Sequence, residues 1–363
     1  MEKLNIVSLF SGIGSFERGV ENLNAPFNLV AYSEIDKYAS KAYSLMHGIS
    51  EDLNLGDITK IDENAITNEE IDILVYGFPC QDISIAGEKK SFFDENGNKT
   101  RSGLFFDALR IIKAVKPKIA IAENVKNLTN PKMGDVFDTV LSALWKIGYH
   151  SYYKVLNASD YGIPQNRERV FIVSVRDDIF WDAYSNNVSF YWPEKQGLKL
   201  MMSDLLQPSS EIKSEFWLSE DKTASVIRHN TFHAGHIVDD PVCDTLLSRD
   251  YKDPKVIRVA ADMNHYVNDQ MNRLYDPNGL CPTLKTVSGG GREIKIEDAN
   301  GKYRKLTPLE YFRLMGFLDS DVEILQENGI SKTQLYKMAG NSIVVNVAEA
   351  LMKSVINYLN GNN

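Results

Sequence analysis

The first 175 residues alternate short runs of aliphatic and β-branched side chains with longer amphipathic stretches. Strands are predicted at 5–10, 28–33, 72–76, 118–122, 152–156 and 169–175, and helices at 15–23, 37–47, 104–115 and 136–147. Strands that alternate with helices predict an α/β fold with a doubly wound parallel sheet covered by helices. In such a sheet ligands sit beyond the carboxyl ends of the strands, so the residues that follow each strand are where chemistry is expected. From about residue 176 to about 304 the alternation gives way to a segment rich in Ser, Asp, Asn and isolated aromatics, which predicts a second, smaller and irregular domain. Helical periodicity returns at 308–315 and 334–359, punctuated by Gly316 and Gly340.

A chain of 363 residues exceeds what one hydrophobic core usually supports, in keeping with two domains. Its net charge of −9 counts against a reader of nucleic-acid phosphates, although a basic cleft can coexist with an acidic exterior. The irregular segment is itself more acidic than basic. One cluster stands out there, Arg249, Lys252, Lys255 and Arg258, which suits a phosphate-contacting loop and equally a solvated surface loop. The three cysteines, Cys80, Cys243 and Cys281, are far apart and form no CxxC pair, which argues against a disulfide framework and a metal site and for a reducing, cytoplasmic setting. No signal or membrane segment is read at the N-terminus.

Candidate chemistry lies at the predicted strand ends. Phe10-Ser11-Gly12-Ile13-Gly14 is a glycine-containing turn that feeds a helix, where bare backbone can approach a ligand. The next glycine is Gly19, so the GxGxxG spacing of a dinucleotide site is absent, which disfavours a nicotinamide oxidoreductase. Glu34 and Asp36 end the 28–33 strand, where a carboxylate can accept from two ribose hydroxyls, and Asp57 is placed to meet an adenine amino group. Taken alone, each reads more readily as a turn or cap residue than as a ligand contact. The 72–76 strand leads into Gly77-Phe78-Pro79-Cys80-Gln81 and the 118–122 strand into Glu123-Asn124-Val125. Adjacent parallel strands lie about 5 Å apart, so a thiol and a carboxylate there can meet one small substrate. Ahead of the last strand, Gln165-Asn166-Arg167-Glu168-Arg169 offers two arginines at period two, expected on one face and suited to carbonyl or phosphate oxygens, or to surface salt bridges.

The order of these blocks across nearly the whole chain resembles the C5-cytosine DNA methyltransferase family of bacterial restriction-modification systems. The resemblance implies a Rossmann-like, S-adenosylmethionine-dependent catalytic domain over 1–185, completed by 318–363, and a target recognition domain over 186–317. It implies a cofactor site of Phe10, Ser11, Gly12, Ile13, Gly14, Glu34 (ribose), Ile35, Asp57 (adenine), Ile58, Phe78, Pro79, Leu104, Asn341, Ser342 and Ile343. The C-terminal helix is expected to return beside the first strand. Catalysis would fall to Cys80, Glu123, Arg167 and Arg169, and DNA contacts to Gln81, Ser84, Lys89, Lys90, Arg249, Lys252, Gln270, Thr283, Gly289 and Gly290. Departures from the family pattern are mild: Ser8 where Asp is common, Ser15 where a second Gly is common, and Ile35 where an aromatic often stacks on adenine.

The implied reaction is thiolate addition of Cys80 to cytosine C6, which activates C5 toward an electrophilic methyl group, with Glu123 at the exocyclic amine and N3 and Arg169 at O2. The base must first be flipped out of the duplex. The expected partner is double-stranded DNA; a cognate restriction endonuclease, if one exists, would act on the same site without being a physical partner, and the protein is expected to be a monomer away from membranes. Competing readings are a tRNA cytosine-5 methyltransferase of the same fold and a non-catalytic DNA-binding module.

Overall fold

The computed structural model describes residues 3–66, 69–79, 92, 99–219, 259–262, 273–287, 293–298 and 300–362. The chain divides into two compact units, one of residues 1–156, 168–194 and 347–363, the other of residues 157–167 and 195–346. The expected boundaries differ from this division chiefly in 318–346, which groups with the second unit.

The first unit is built on a six-stranded sheet. Its elements in chain order are β1 (Leu4–Leu9), α1 (Ser15–Asn22), β2 (Phe27–Ser33), α2 (Lys37–His47), β3 (Ile73–Tyr76), α3 (Phe105–Val115), β4 (Ile119–Val125), α4 (Gly134–Lys146), β5 (Tyr149–Asn157), β6 (Glu168–Arg176) and α5 (Asp177–Ser185). The strand order is β2-β1-β3-β4-β6-β5. From β1 the chain winds first to one side and then the other, so the topological switch point lies between β1 and β3, where such sheets bind ligands. The strands are fully apolar where helices cover both faces: Ile73, Leu74, Val75 and Tyr76 of β3 are all buried. One side of this core joins Val7, Leu74 and Ala120 to Ile111 and Ile112 of α3 and Val140 and Leu144 of α4. Burying each of the larger aliphatics contributes about 1.5–3 kcal/mol.

Two details depart from the sequence reading. The sheet is not wholly parallel: β1 runs parallel to β2 and β3, and β3 to β4, but β4 and β6 are antiparallel. And β4 extends through Val125, because Glu123, Asn124 and Val125 pair with Phe171, Val170 and Arg169. The reversed β6 therefore begins at the edge where β4 ends.

The second unit carries a four-stranded sheet in the order β10-β9-β8-β7, formed by β7 (Val259–Asp262), β8 (Arg273–Tyr275), β9 (Lys295–Glu297) and β10 (Tyr303–Lys305), followed by α6 (Pro308–Leu314), α7 (Asp319–Glu327) and α8 (Lys332–Asn341). Thr307 and Glu310 form a reciprocal capping box at the start of α6. The fully buried Arg304 donates to both Glu310 oxygens, at 2.7 and 2.8 Å, so that neither charge is left unpaired.

The predicted 334–359 helix is two helices, α8 and α9 (Val345–Leu359). Ser342 adopts an extended conformation and the Val345 amide bonds to Met315 O at 2.9 Å, which breaks the helical ladder. Most of α9 belongs to the first unit, where it packs on α1: a Cβ on Gly19 would lie 2.7 Å from Glu349 N, so only glycine permits this backbone approach. Asn22 Nδ2 adds a 3.0 Å bond to Glu349.

Candidate active site

The turn after β1 is held by its own backbone and by the acid that ends β2. Phe10 takes φ 53°, an uncommon conformation for a side chain of its size, and Gly12 and Gly14 take φ 57° and 79°. Ser11 N donates to Ser33 O at 3.1 Å, and Gly12 N to Glu34 Oε2 at 2.9 Å. The other Glu34 oxygen accepts from Asp36 N at 2.7 Å, while Asp36 caps α2. Burial pushes the Glu34 carboxyl up, against the opposing pull of these two amides. Each oxygen keeps lone pairs for further donors. Next to this acid Ile35 is 75% exposed, an apolar side chain presented to solvent beside a carboxylate, as a nucleoside face would require.

Asn54, which the sequence reading did not single out, ties this region together. It accepts from Glu34 N at 3.0 Å and Gly56 N at 2.9 Å, and donates to Glu34 O and Ser40 Oγ at 2.9 and 2.8 Å. Asp57 caps a short 3₁₀ turn through Thr59 N and Thr59 Oγ1, which hold its carboxyl below the usual range. Asp57 is thus a cap residue, and its Oδ2 stands 3.7 Å from Lys60. Ile58 is buried, and Arg110 on α3 donates to Ile58 O at 3.0 Å, to Ile61 O at 2.9 Å and to Glu63. Arg110 was also missed, since its sequence neighbours give no sign of a target 50 residues away.

Beyond β3, Gly77 is half-buried and Phe78 is buried, against Tyr76 and Phe105 at ring separations of 6.2 and 5.3 Å. Pro79 is half-buried, and so is Leu104 at the head of α3. Cys80 lies outside the described residues. The chain leading to it is fixed by Asn124, whose buried amide donates to Phe78 O at 3.0 Å. Tyr76 pairs with Ala122, so Glu123 stands beside Gly77; a Cβ there would lie 3.5 Å from Glu123 Oε2. Arg169 reaches in from β6, its Nε 3.0 Å from Glu123 Oε1. Both side chains keep some exposure, 15% for Glu123 and 18% for Arg169, so the pair faces an accessible edge of the sheet.

Arg167 does not share that face, contrary to expectation. It precedes β6, belongs to the second unit, and is buried with its guanidinium donating to Leu284 O at 3.1 Å, Gly340 O at 3.0 Å and Ser342 O at 2.6 Å. The loop before β6 turns this side chain inward, whereas the pleat of β6 presents Arg169 at the sheet edge. Around it, Gln165 donates to Leu314 O at 2.7 Å and Thr283 Oγ1 donates to Asn166 O at 2.6 Å. The Thr283 hydroxyl is therefore engaged in bracing the 281–284 segment. Gly340 packs on backbone, with a would-be Cβ 2.5 Å from Lys285 C. Asn341 is exposed, Ser342 buried and Ile343 half-buried. Burial pushes the Cys281 thiol up, which makes it inert as a nucleophile. Gln81, Ser84, Lys89, Lys90, Arg249, Lys252, Gln270, Gly289 and Gly290 lie outside the described residues.

Solved structures define the fold. The chain superposes on S. pombe Dnmt2 methyltransferase with a TM-score of 0.66 at 17% identity, covering 99% of this chain and 100% of that one. It superposes on a putative DNA modification methyltransferase encoded within an E. coli prophage with a TM-score of 0.65 at 20% identity and the same coverage. At such identities the likeness establishes the fold, that of methyltransferases. The family is fixed by sequence: residues 4–357 match the model for C-5 cytosine-specific DNA methylase, and the chain belongs to that family. It is 34% identical to the type II methyltransferase M.HhaI of Haemophilus parahaemolyticus over 98% of this chain and 95% of that protein. It is 30% identical to the orphan methyltransferase M.SPRI of Bacillus phage SPR over 99% of each.

Proposed function

We propose that the protein transfers a methyl group from S-adenosylmethionine to C5 of a cytosine flipped out of a specific duplex DNA sequence, as the modification enzyme of a restriction-modification system. The observation that carries this reading is the Glu123–Arg169 pair at the ligand-binding edge of the sheet, beside the strand that leads to Cys80. On this reading the first unit binds cofactor and performs catalysis, and the second reads the target sequence.

The residues of the turn fit the cofactor. Glu34 would accept from the ribose hydroxyls, Ile35 would cover one face of the adenine, and Asp57 with the Ile58 amide would meet its polar edge. When bound, the sulfonium supplies an electrophilic methyl group. The Cys80 thiolate would add to C6, placing carbanion character at C5, which would take the methyl carbon as the bond of that carbon to sulfur breaks and a neutral thioether is left. Glu123 shares a proton with N3 and accepts from the exocyclic amine, so that charge entering the ring is neutralised as it develops. Arg169 aligns Glu123 and donates to O2. Loss of the C5 proton to a base then expels Cys80 and restores the ring. Arg167 acts here as a positioning residue that secures the 281–284 and 340–342 segments.

The test is incubation with S-adenosylmethionine and unmethylated DNA of diverse sequence, followed by single-base mapping of 5-methylcytosine, with tRNA as a parallel substrate. Methylation confined to one short DNA motif, and lost in Cys80→Ala protein, is the expected result. Preference for tRNA would overturn the substrate, and turnover by Cys80→Ala would overturn the covalent route.

A further inference from the structure

His47, the last residue of α2, lies directly beneath the turn that follows β1. Its side chain is fully buried, and a Cβ on Gly14 would come within 2.2 Å of its Nε2. The ring is wedged against Tyr43 at 4.9 Å, and Tyr43 in turn stacks on Tyr32 at 4.3 Å. Nε2 lies 3.0 Å from Ile13 O, inside the turn, and Nδ1 lies 2.8 Å from Glu21 Oε1.

Both partners are acceptors. A carbonyl oxygen has no proton to give, and a carboxylate only accepts; the other Glu21 oxygen lies 2.7 Å from Arg18. A neutral imidazole has one N–H and can satisfy only one of them; the imidazolium satisfies both. We infer that His47 is a positioning residue for the cofactor turn, and that as an imidazolium bridging Ile13 O and Glu21 it makes S-adenosylmethionine affinity sensitive to alkaline pH. This rests on the cofactor reading above.

The electrostatic surroundings agree. Burial alone would favour the neutral ring, but the bond to Glu21, the charges of Glu21 and Glu17, and the Ile13 carbonyl outweigh it, and the net shift is upward. The groups that face the ring are Glu17, Arg18 and Glu21 from α1, Tyr43 from its own helix, and Tyr32 behind Tyr43 on β2. Burial raises both phenols, so neither ionises ahead of His47. Below its raised value, which stands above the ordinary imidazole value of about 6.5, His47 holds both contacts. As pH rises through that value one contact is lost. The carbonyl of Ile13 then faces a lone pair, or Glu21 is left with a single partner, and the turn that presents the Gly12 amide to Glu34 loosens.

The experiment is calorimetric titration of the full chain with S-adenosylhomocysteine, without DNA, from pH 6.5 to 9.5, for the wild type, His47→Gln and His47→Phe. Gln keeps an amide donor toward Ile13 O and does not titrate. The wild type should lose about tenfold in affinity across the range, one pKa unit of differential interaction. His47→Gln should be flat with pH, and His47→Phe flat and weak throughout. A pH-independent wild type, or the same slope in His47→Gln, would overturn the inference while leaving the cofactor reading intact. No binding by the wild type at pH 7 would overturn the cofactor reading and this inference with it.

Discussion

Replacing Arg167 separates a tying role from a catalytic one. In Arg167→Met the side-chain volume is nearly kept, but the carbonyls of Leu284, Gly340 and Ser342 lose their common donor. A hydrogen bond to a charged group contributes about 1.5–3 kcal/mol, and bonds sharing one guanidinium do not add fully, so the net cost should be about 3–6 kcal/mol. At roughly 2–4 °C per kcal/mol for a domain of some 150–250 residues, the melting temperature should drop on the order of 10 °C or more. Domain stability is typically about 5–15 kcal/mol, so a large folded fraction should survive at low temperature. Arg167→Lys, which keeps the charge but cannot fork to three oxygens, should fall between. The assay is thermal unfolding followed by circular dichroism, paired with methyl transfer at 15 °C normalised to folded protein. Activity per folded molecule within a few-fold of wild type supports the tying role. An unchanged melting temperature with turnover reduced a hundredfold or more would refute it and return Arg167 to the chemistry.

Two further outcomes follow from the site. Because burial raises the Glu34 carboxyl, cofactor affinity should decline on acidification from a pH above the ordinary glutamate value of about 4.3: the ionised acceptor is present above the raised value and lost as pH falls through it. Binding of S-adenosylhomocysteine between pH 4.5 and 7 reads this, and the same acid decline in Glu34→Gln would assign it to another group. Asn124→Ala removes the buried bond to Phe78 O and should destabilise by about 1–3 kcal/mol, while lowering kcat more than it raises KM for the cofactor, because the chain into Cys80 loses its brace. Equal effects on both constants would point to general loosening instead.

The sequence made the strand ends legible because buried strands are short apolar runs bounded by turns: β2 and β3 match the reading within a residue, and α2 matches it throughout. Strand direction was not legible. The apolar run of β6 reads the same either way, and only the pairing of Val125 with Arg169 shows why Arg169 meets Glu123. Helix α5 escaped because Trp181 and Tyr184 are exposed on it, so its aromatics do not trace a buried stripe. Period two placed Arg167 and Arg169 on one face, but that rule holds only inside a strand, and Arg167 precedes β6. His47, Asn54 and Arg110 carry no motif. Their importance lies in the long-range carbonyl and amide partners that a fold supplies.

The contact between Gly19 and Glu349 has a consequence for how the molecule comes into being. Helix α1 waits for a partner more than three hundred residues later in the chain, so the first unit cannot be finished during most of its own synthesis. At about 5–20 residues per second, roughly 15 s or more separates the emergence of α1 from that of α9. Throughout that interval the face of α1 around Gly19 and Val20 stands bare in the nascent chain. The apolar side of α9 is the piece that closes it.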